Sequence, residues 1–203
     1  MTSIITGDII KSRKLKTADW ITDFKKFLTQ FGKNPSDWEI YRGDEFQLEV
    51  KNPEDAFITA IWIKTYLKSI QLDARMSIGI GEKNYTSKKI SESNGSAFIY
   101  SGETFENLKK QKNTLAIQTN HHEFNVQMNL LFKLGLTFID GWLSQSIEFV
   151  INALQNPDLS QEELGQKLGI NQAAVSRRRK RAQFDLLLEL NEYYKSQVKL
   201  IAK

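Results

Sequence analysis

The sequence predicts an α+β fold: a mixed sheet with helices on one face, followed by an all-helical C-terminal part. Three observations predict it. Period-two alternation runs through Trp38, Ile40, Phe46, Leu48 and Val50, and again through Ala74, Met76, Ile78 and Ile80, as in strands with one buried face. Between these strands lie segments whose apolar residues recur at the helical period. From His121 onward the pattern is helical throughout. The order strand, helix, hairpin, helix, strand, helix, strand suits a mixed sheet.

Taken in order, Ser3-Ile4-Ile5-Thr6-Gly7 reads as a buried strand with Asp8 at its end. Trp20, Phe24, Phe27, Leu28 and Phe31 fall at i, i+4, i+7, i+8 and i+11, a helix that Gly32 stops. Glu39 to Val50 is a hairpin interrupted by Gly43-Asp44, and a Gly-X pair suits a two-residue type II′ turn because glycine takes the positive φ without steric cost. Asn52-Pro53-Glu54-Asp55 starts a helix: a capping amide, proline in the first turn and acids at the positive dipole end. Its stripe is Ala56, Ala60, Ile63, Leu67 and Ile70. The strand Ala74–Ile80 follows, then a helix around residues 92–111 carrying Phe98, Phe105 and Leu108, and a last strand at Leu115-Ala116-Ile117.

Composition narrows the class. The chain has 203 residues, enough for one large or two small domains, and the net charge of +4 does not by itself demand a nucleic-acid partner. With no cysteine there are no disulfides and no thiolate metal sites. The first residues lack a signal-peptide pattern, and no apolar run approaches about 18 residues. The expectation is a soluble, cytoplasmic protein without a membrane partner.

In such a sheet the end of the first strand and the hairpin tip are neighbours, so Asp8, Asp44 and Glu45 converge. Carboxylates held close together repel unless a hard cation such as Mg²⁺ neutralises them. Acids that share a divalent ion which also grips phosphates are an arrangement for phosphoryl transfer. Asp8-Ile9, Arg42-Gly43-Asp44-Glu45-Phe46, Arg75-Met76-Ser77-Ile78-Gly79-Ile80-Gly81 and Gly95-Ser96-Ala97-Phe98 together resemble the ferredoxin-like palm of class III nucleotidyl cyclases and GGDEF-type diguanylate cyclases. The resemblance spans roughly residues 1–118. It implies that Asp8, Asp44 and Glu45 bind metal, and that Ile9, Arg42, Gly43 and Arg75 surround a nucleotide. Cyclases also place an Asn and an Arg on the helix after the glycine; here those positions hold Ile99 and Glu103. An acid cannot stabilise a phosphate's developing charge, which turns the reading away from catalysis and towards ligand binding.

Phe124, Met128, Leu131, Leu134, Phe138, Ile139 and Trp142 form a wide apolar stripe, read as core or dimer interface on a connector helix. Ser160 to Ser176 then carries the most specific pattern in the chain. Ser160 with Glu163 is a capping box, Leu164, Leu168 and Val175 pack two helices, Gly165 allows close approach, Gly169 makes the turn and Asn171 caps the second helix. This resembles the helix-turn-helix of sigma-factor region 4 and many bacterial regulators. The resemblance implies that Asn171, Gln172, Ala173 and Ser176 face base edges in a major groove. Arg177, Arg178, Arg179, Lys180 and Arg181 follow as phosphate contacts. Sigma-like helices place Leu where Arg179 stands, which predicts looser packing at that end. Leu186, Leu187, Leu190, Tyr193 and Tyr194 continue a helix suited to pairing with a second subunit.

A cyclase-like domain over residues 1–120, a connector over 121–143 and a helix-turn-helix domain over 144–203 resemble the SatD-type family of bacterial proteins. The reading is a homodimeric DNA-binding transcriptional regulator whose palm binds a nucleotide with Mg²⁺. The alternatives are a nucleotidyl cyclase or nucleotidyltransferase localised by its DNA-binding domain, and a palm that serves only as a dimerisation platform.

Overall fold

Strand alternation becomes a five-stranded sheet in the computed structural model, which describes residues 1–12, 17–111 and 113–202. The strands are β1 (Thr2–Ile10), β2 (Trp38–Tyr41), β3 (Glu45–Val50), β4 (Asp73–Gly81) and β5 (Leu115–Gln118), in spatial order β2-β3-β1-β4-β5. β1 pairs antiparallel with both β3 and β4, β2 pairs antiparallel with β3, and β4 with β5 is parallel, so the fold is α+β with a mixed sheet. β1 runs two residues beyond Asp8, which therefore lies inside the strand and not at its end. The hairpin also departs from expectation. Tyr41 pairs with Glu45, so Arg42, Gly43 and Asp44 form a three-residue turn, and positive φ begins at Arg42 (51°) before Gly43 (90°).

Successive residues of a strand point to opposite faces. On one face Ile5, Phe46, Leu48, Met76, Ile78 and Ile80 pack in a single core with Trp20, Phe24 and Leu28 of α1 (Thr17–Leu28) and with Ala60, Ile63 and Leu67 of α2 (Ala56–Ser69). The other face is mostly polar or small, and α3 (Ser96–Lys109) lies on it, where Ile4 packs with Ile90, Ala97 and Phe98 in a second buried cluster. Thr6 Oγ1 donates to Ser101 Oγ at 3.0 Å, and Ser77 Oγ donates to the Ser101 carbonyl at 2.6 Å. A Cβ on Gly79 would meet the Ala97 carbonyl, and one on Gly81 the Ser96 side chain. Helices therefore cover both faces, not one. The small residues of β4, Ser77, Gly79 and Gly81, let the α3 backbone approach.

The remaining helices are α4 (His122–Ile139), α5 (Ser144–Gln155), α6 (Gln161–Leu168), α7 (Gln172–Arg181) and α8 (Phe184–Ile201). Their buried residues continue the α1–α2 core without a break: Phe57 of α2 stacks on Phe132 of α4 at 4.8 Å, and Tyr194 of α8 packs on both and donates to the Pro53 carbonyl at 2.7 Å. Trp142 Nε1 donates to the Ala182 carbonyl at 2.9 Å. The stripe on α4 is mostly core, but Leu134 is exposed and Phe132 and Leu136 are buried instead. On α8, Leu187 and Tyr194 are buried within the chain, which leaves only Leu186 and Tyr193 of that face exposed. Lys64 of α2 is fully buried, and its ammonium meets Asp73 (2.8 Å), Asp140 (3.0 Å), Thr114 Oγ1 (3.0 Å) and the Ala74 carbonyl (3.3 Å). Among the described residues no helix is long and apolar enough to cross a membrane.

Candidate functional site

Antiparallel register assembles the first site. Tyr41 pairs with Glu45, Glu45 with Asp8 and Asp8 with Arg75, so four polar side chains form one row across β2, β3, β1 and β4. They share the face occupied by α3, because Asp8 is in phase with Thr6 and Arg75 with Ser77. Beside this row opens a cleft of about 700 Å³, lined by Thr6, Tyr41, Arg42, Glu45 and Gln47 and by Gly102, Glu103, Phe105, Glu106 and Asn107 of α3.

Charges along the row and beside the cleft are largely answered from within the chain. Arg75 lies 3.6 Å from Asp8, Lys109 of α3 lies 3.0 Å from Glu45, and Arg42 is 3.8 Å from Glu45. Asp44 Oδ2 accepts from Ser12 Oγ at 2.9 Å. One oxygen, Asp8 Oδ1, is buried without a partner, as is Arg75 Nε. Burial is the main reason that the Asp8 carboxyl is pushed above its ordinary value. Arg75 and Lys109 oppose that shift, and Asp44 and Glu45 add to it. Burial, then Glu45, likewise pushes the Tyr41 phenol up. Lys109 is raised first by its hydrogen bond with Glu106 and then by Glu45.

The sequence-derived residues divide accordingly. Asp8, Asp44 and Glu45 are neighbours, but each faces a different partner. Among the described residues no group of three or more His, Asp or Glu is gathered closely enough to hold a metal ion. A magnesium ion is commonly held by one or two carboxylates together with a ligand's phosphates, and Asp8 and Asp44 are the acids that would supply them here. Arg42 and Gly43 are exposed at the turn and Arg75 is half-buried in the row. Ile9 is different: its side chain is buried in the α1–α2 core, on the face away from the cleft, and its N–H is donated to the Asp44 carbonyl at 3.0 Å. Lys109 and Tyr41 are the residues that sequence reasoning missed. Lys109 has no local signal, since 64 residues separate it from Glu45.

The second site is α7. Ser160 and Glu163 form the capping box that starts α6, and the hydrogen bonds from Ser160 hold the exposed Glu163 carboxyl below its ordinary value. α6 ends on Gly169 in the left-handed conformation (φ 66°), and Asn171 Oδ1 accepts from the Ala174 N–H at 2.9 Å to start α7. A Cβ on Gly165 would lie 2.7 Å from the Ile170 carbonyl, so the turn packs against α6 only with glycine there. Val175 is fully buried. Asn171, Gln172, Ala173, Ser176, Arg177, Lys180 and Arg181 are exposed. The basic run splits. Arg178 is ion-paired with Glu148 of α5, and Arg179 pairs with Asp185 (2.6 Å) and lies over the Phe184 ring at 5.5 Å. Arg179 thus packs where the resemblance predicted looseness. Arg177 and Lys180 make no ion pair among the described residues, and Arg181 meets only Gln145, at 3.4 Å.

The model of the SatD family matches residues 2–197, and the chain belongs to that family. Comparison with curated proteins gave no match, and comparison with solved structures gave none.

Proposed function

We propose that this SatD-family protein is a DNA-binding transcriptional regulator: α6 and α7 act as a helix-turn-helix, and the sheet acts as a cyclase-like palm that senses a nucleotide. The observation that carries the reading is the outer face of α7. Gln172 and Ser176 lie one turn apart, and Arg177 and Lys180 lie further along the same exposed side. Gln offers paired donor and acceptor groups to an adenine edge, Ala173 suits a thymine methyl, and the two cations suit backbone phosphates. Selection on random DNA followed by a salt titration tests this. A consensus site is expected, with affinity falling steeply with salt. No binding above background at about 50 mM salt would sink the proposal.

The palm enters the proposal as the sensor. Arg42 and Lys109 are the cations that a ligand's phosphates would reach, by taking them from Glu45. α5 packs against both α2 and α7, so a change in the sheet has a direct packing route to the DNA-facing helix. Calorimetric titration with nucleotides, with and without Mg²⁺, tests the sensor separately. Binding that depends on Mg²⁺ is expected, and the absence of any binding would remove the sensor while leaving the DNA reading intact. The enzyme alternative predicts a cyclic or linear nucleotide product in the same mixtures. Ile99 and Glu103, where cyclases hold Asn and Arg, weigh against it.

A further inference from the structure

We infer that a second copy of this chain docks antiparallel on the outer face of α4. The inner face of that helix is already occupied: Phe124, Met128, Phe132 and Ile139 are all buried in the core. The outer face nevertheless carries a second apolar row, Val126, Leu130 and Leu134, which are 56%, 57% and 56% exposed. One exposed leucine is ordinary, but three on successive turns form a seam of the kind helices bury against one another.

Charge selects the occupant and its direction. At about 100° per residue, Glu123 and Lys133 fall within roughly 60° of Leu130 on the same exposed face, with Glu123 near the start of the helix and Lys133 near its end. Neither takes part in an ion pair among the described residues. A two-fold axis passing beside residue 128 sets Val126 opposite Leu130 of the second copy and Glu123 opposite its Lys133, and each pair occurs twice, as an isologous contact requires. A parallel alignment would instead set Glu123 on Glu123 and Lys133 on Lys133.

The neighbouring sheet edge excludes the obvious rival on this side. Ile117 N–H donates to Asn129 Oδ1 (2.9 Å) and Asn129 Nδ2 to the Ile117 carbonyl (2.8 Å). Asn125 does the same for Thr119, 2.9 Å in each direction. Two amides one turn apart on α4 thus stand where a further strand would pair. The β5 edge is closed to another chain, and the α4 seam remains beside it.

A helix-pair contact is small, so micromolar affinity is expected, with the protein mostly dimeric at about 50 μM. Sedimentation equilibrium on the full chain tests this. Leu130→Glu should give a monomer whose circular dichroism is unchanged, since the side chain is exposed, and whose unfolding midpoint equals that of the unmutated protein diluted well below its dimer dissociation constant. Glu123→Lys and Lys133→Glu should each weaken the dimer roughly tenfold or more, and the double reversal should restore it. Three results would overturn the inference: a monomeric unmutated protein at about 50 μM, a dimer indifferent to Leu130→Glu, or charge reversals that the double variant does not rescue. Dissociation by Leu186→Glu in place of Leu130→Glu would move the interface to α8, and overturn it as well.

Discussion

On the sheet, Asp8 faces Arg75 and Glu45 faces Lys109; on α7, Arg178 faces Glu148 and Arg179 faces Asp185, yet Arg177 and Lys180 make no ion pair among the described residues. Each site was marked in the sequence by like charges, acids from two separate segments in the sheet and an unbroken basic run on α7, and they come apart differently. In the sheet, period two sends the side chains of one row to the same face, where a helix and a neighbouring strand supply opposite charges. On α7 each residue turns about 100°, so adjacent arginines diverge and the run divides into a half that packs and a half that projects. Charge that already has a partner holds the fold. Charge without one is what remains for a ligand, and by that measure α7 is better prepared than the cleft.

The sharpest test of the inward-facing class is its most buried member. Lys64→Met removes an ammonium bonded to Asp73, Asp140, Thr114 and Ala74 and leaves their oxygens without that donor. Denaturant unfolding should show a loss of about 3 kcal/mol, because breaking a buried pair strands the surviving partner. A loss below about 1 kcal/mol would mean that inward charge is not structural here, and the comparison would fail at its strongest point.

The outward-facing class is tested by binding. Gln172→Ala should cost roughly 1–3 kcal/mol on the selected site, relax preference at one or two base pairs and leave the salt dependence unchanged. Arg177→Ala and Lys180→Ala should weaken binding to every sequence, each lowering the magnitude of the log-affinity versus log-salt slope by about 1. Identical behaviour of all three variants would show that α7 is not docked by its outer face.

Asp8 offers a smaller effect whose sign is fixed. Burial raises its carboxyl pKa above the ordinary value of 3.8, so the folded state holds that proton more tightly than the unfolded chain does. Its contribution to stability is complete below about pH 3.8 and is lost as pH rises through the higher folded-state value. Asp8→Asn should remove this dependence. Relative to the unmutated protein it should gain stability between pH 3.5 and 7, by less than about 1 kcal/mol because Arg75 loses its partner. A variant that loses stability over that interval would show that the Arg75 pair outweighs burial.

Legibility followed the range of the interactions. The caps of α6 and α7, the Asn52 cap of the short 3-10 turn that leads into α2, and the strand phases are local, and Asn52, Ser160, Gly169 and Asn171 stand where their chemistry placed them. The placement of α3 was also written locally, in the small residues Ser77, Gly79 and Gly81 that alternate with the core of β4. It reads clearly only once close helix approach is considered. The three-residue turn was hidden because Arg42 accepts a positive φ that was assigned to glycine. Lys109 was not readable at all. Its bond to Glu45 depends on how α3 lies across the sheet, which nothing near residue 109 specifies. The buried row Phe124, Met128 and Phe132 and the exposed row Val126, Leu130 and Leu134 of α4 are offset by two residues, which puts them on opposite sides of the helix, and a single wide apolar stripe concealed that difference.

The finest test lies between two adjacent arginines. Read as sequence, Arg177 and Arg178 are equivalent members of a basic run. In the folded chain Arg178 is only 14% exposed and pairs with Glu148, whose own carboxylate is about half exposed, whereas Arg177 projects from α7. Exposed ion pairs contribute roughly 0.2–1 kcal/mol, and the covered stem of an arginine adds packing of its own. Arg178→Ala should therefore lower stability by about 1 kcal/mol and leave the salt slope of DNA binding unchanged, while Arg177→Ala should do the reverse. Glu148→Gln supplies the control, since it frees Arg178 without removing it. If the pair is what withholds this guanidinium from phosphate, the variant should bind all DNA more tightly and steepen the slope by up to about 1. Should Arg178→Ala flatten the slope as much as Arg177→Ala does, Arg178 exchanges Glu148 for phosphate when DNA arrives. The division of α7 into packed and projecting charge would then hold only for the free protein.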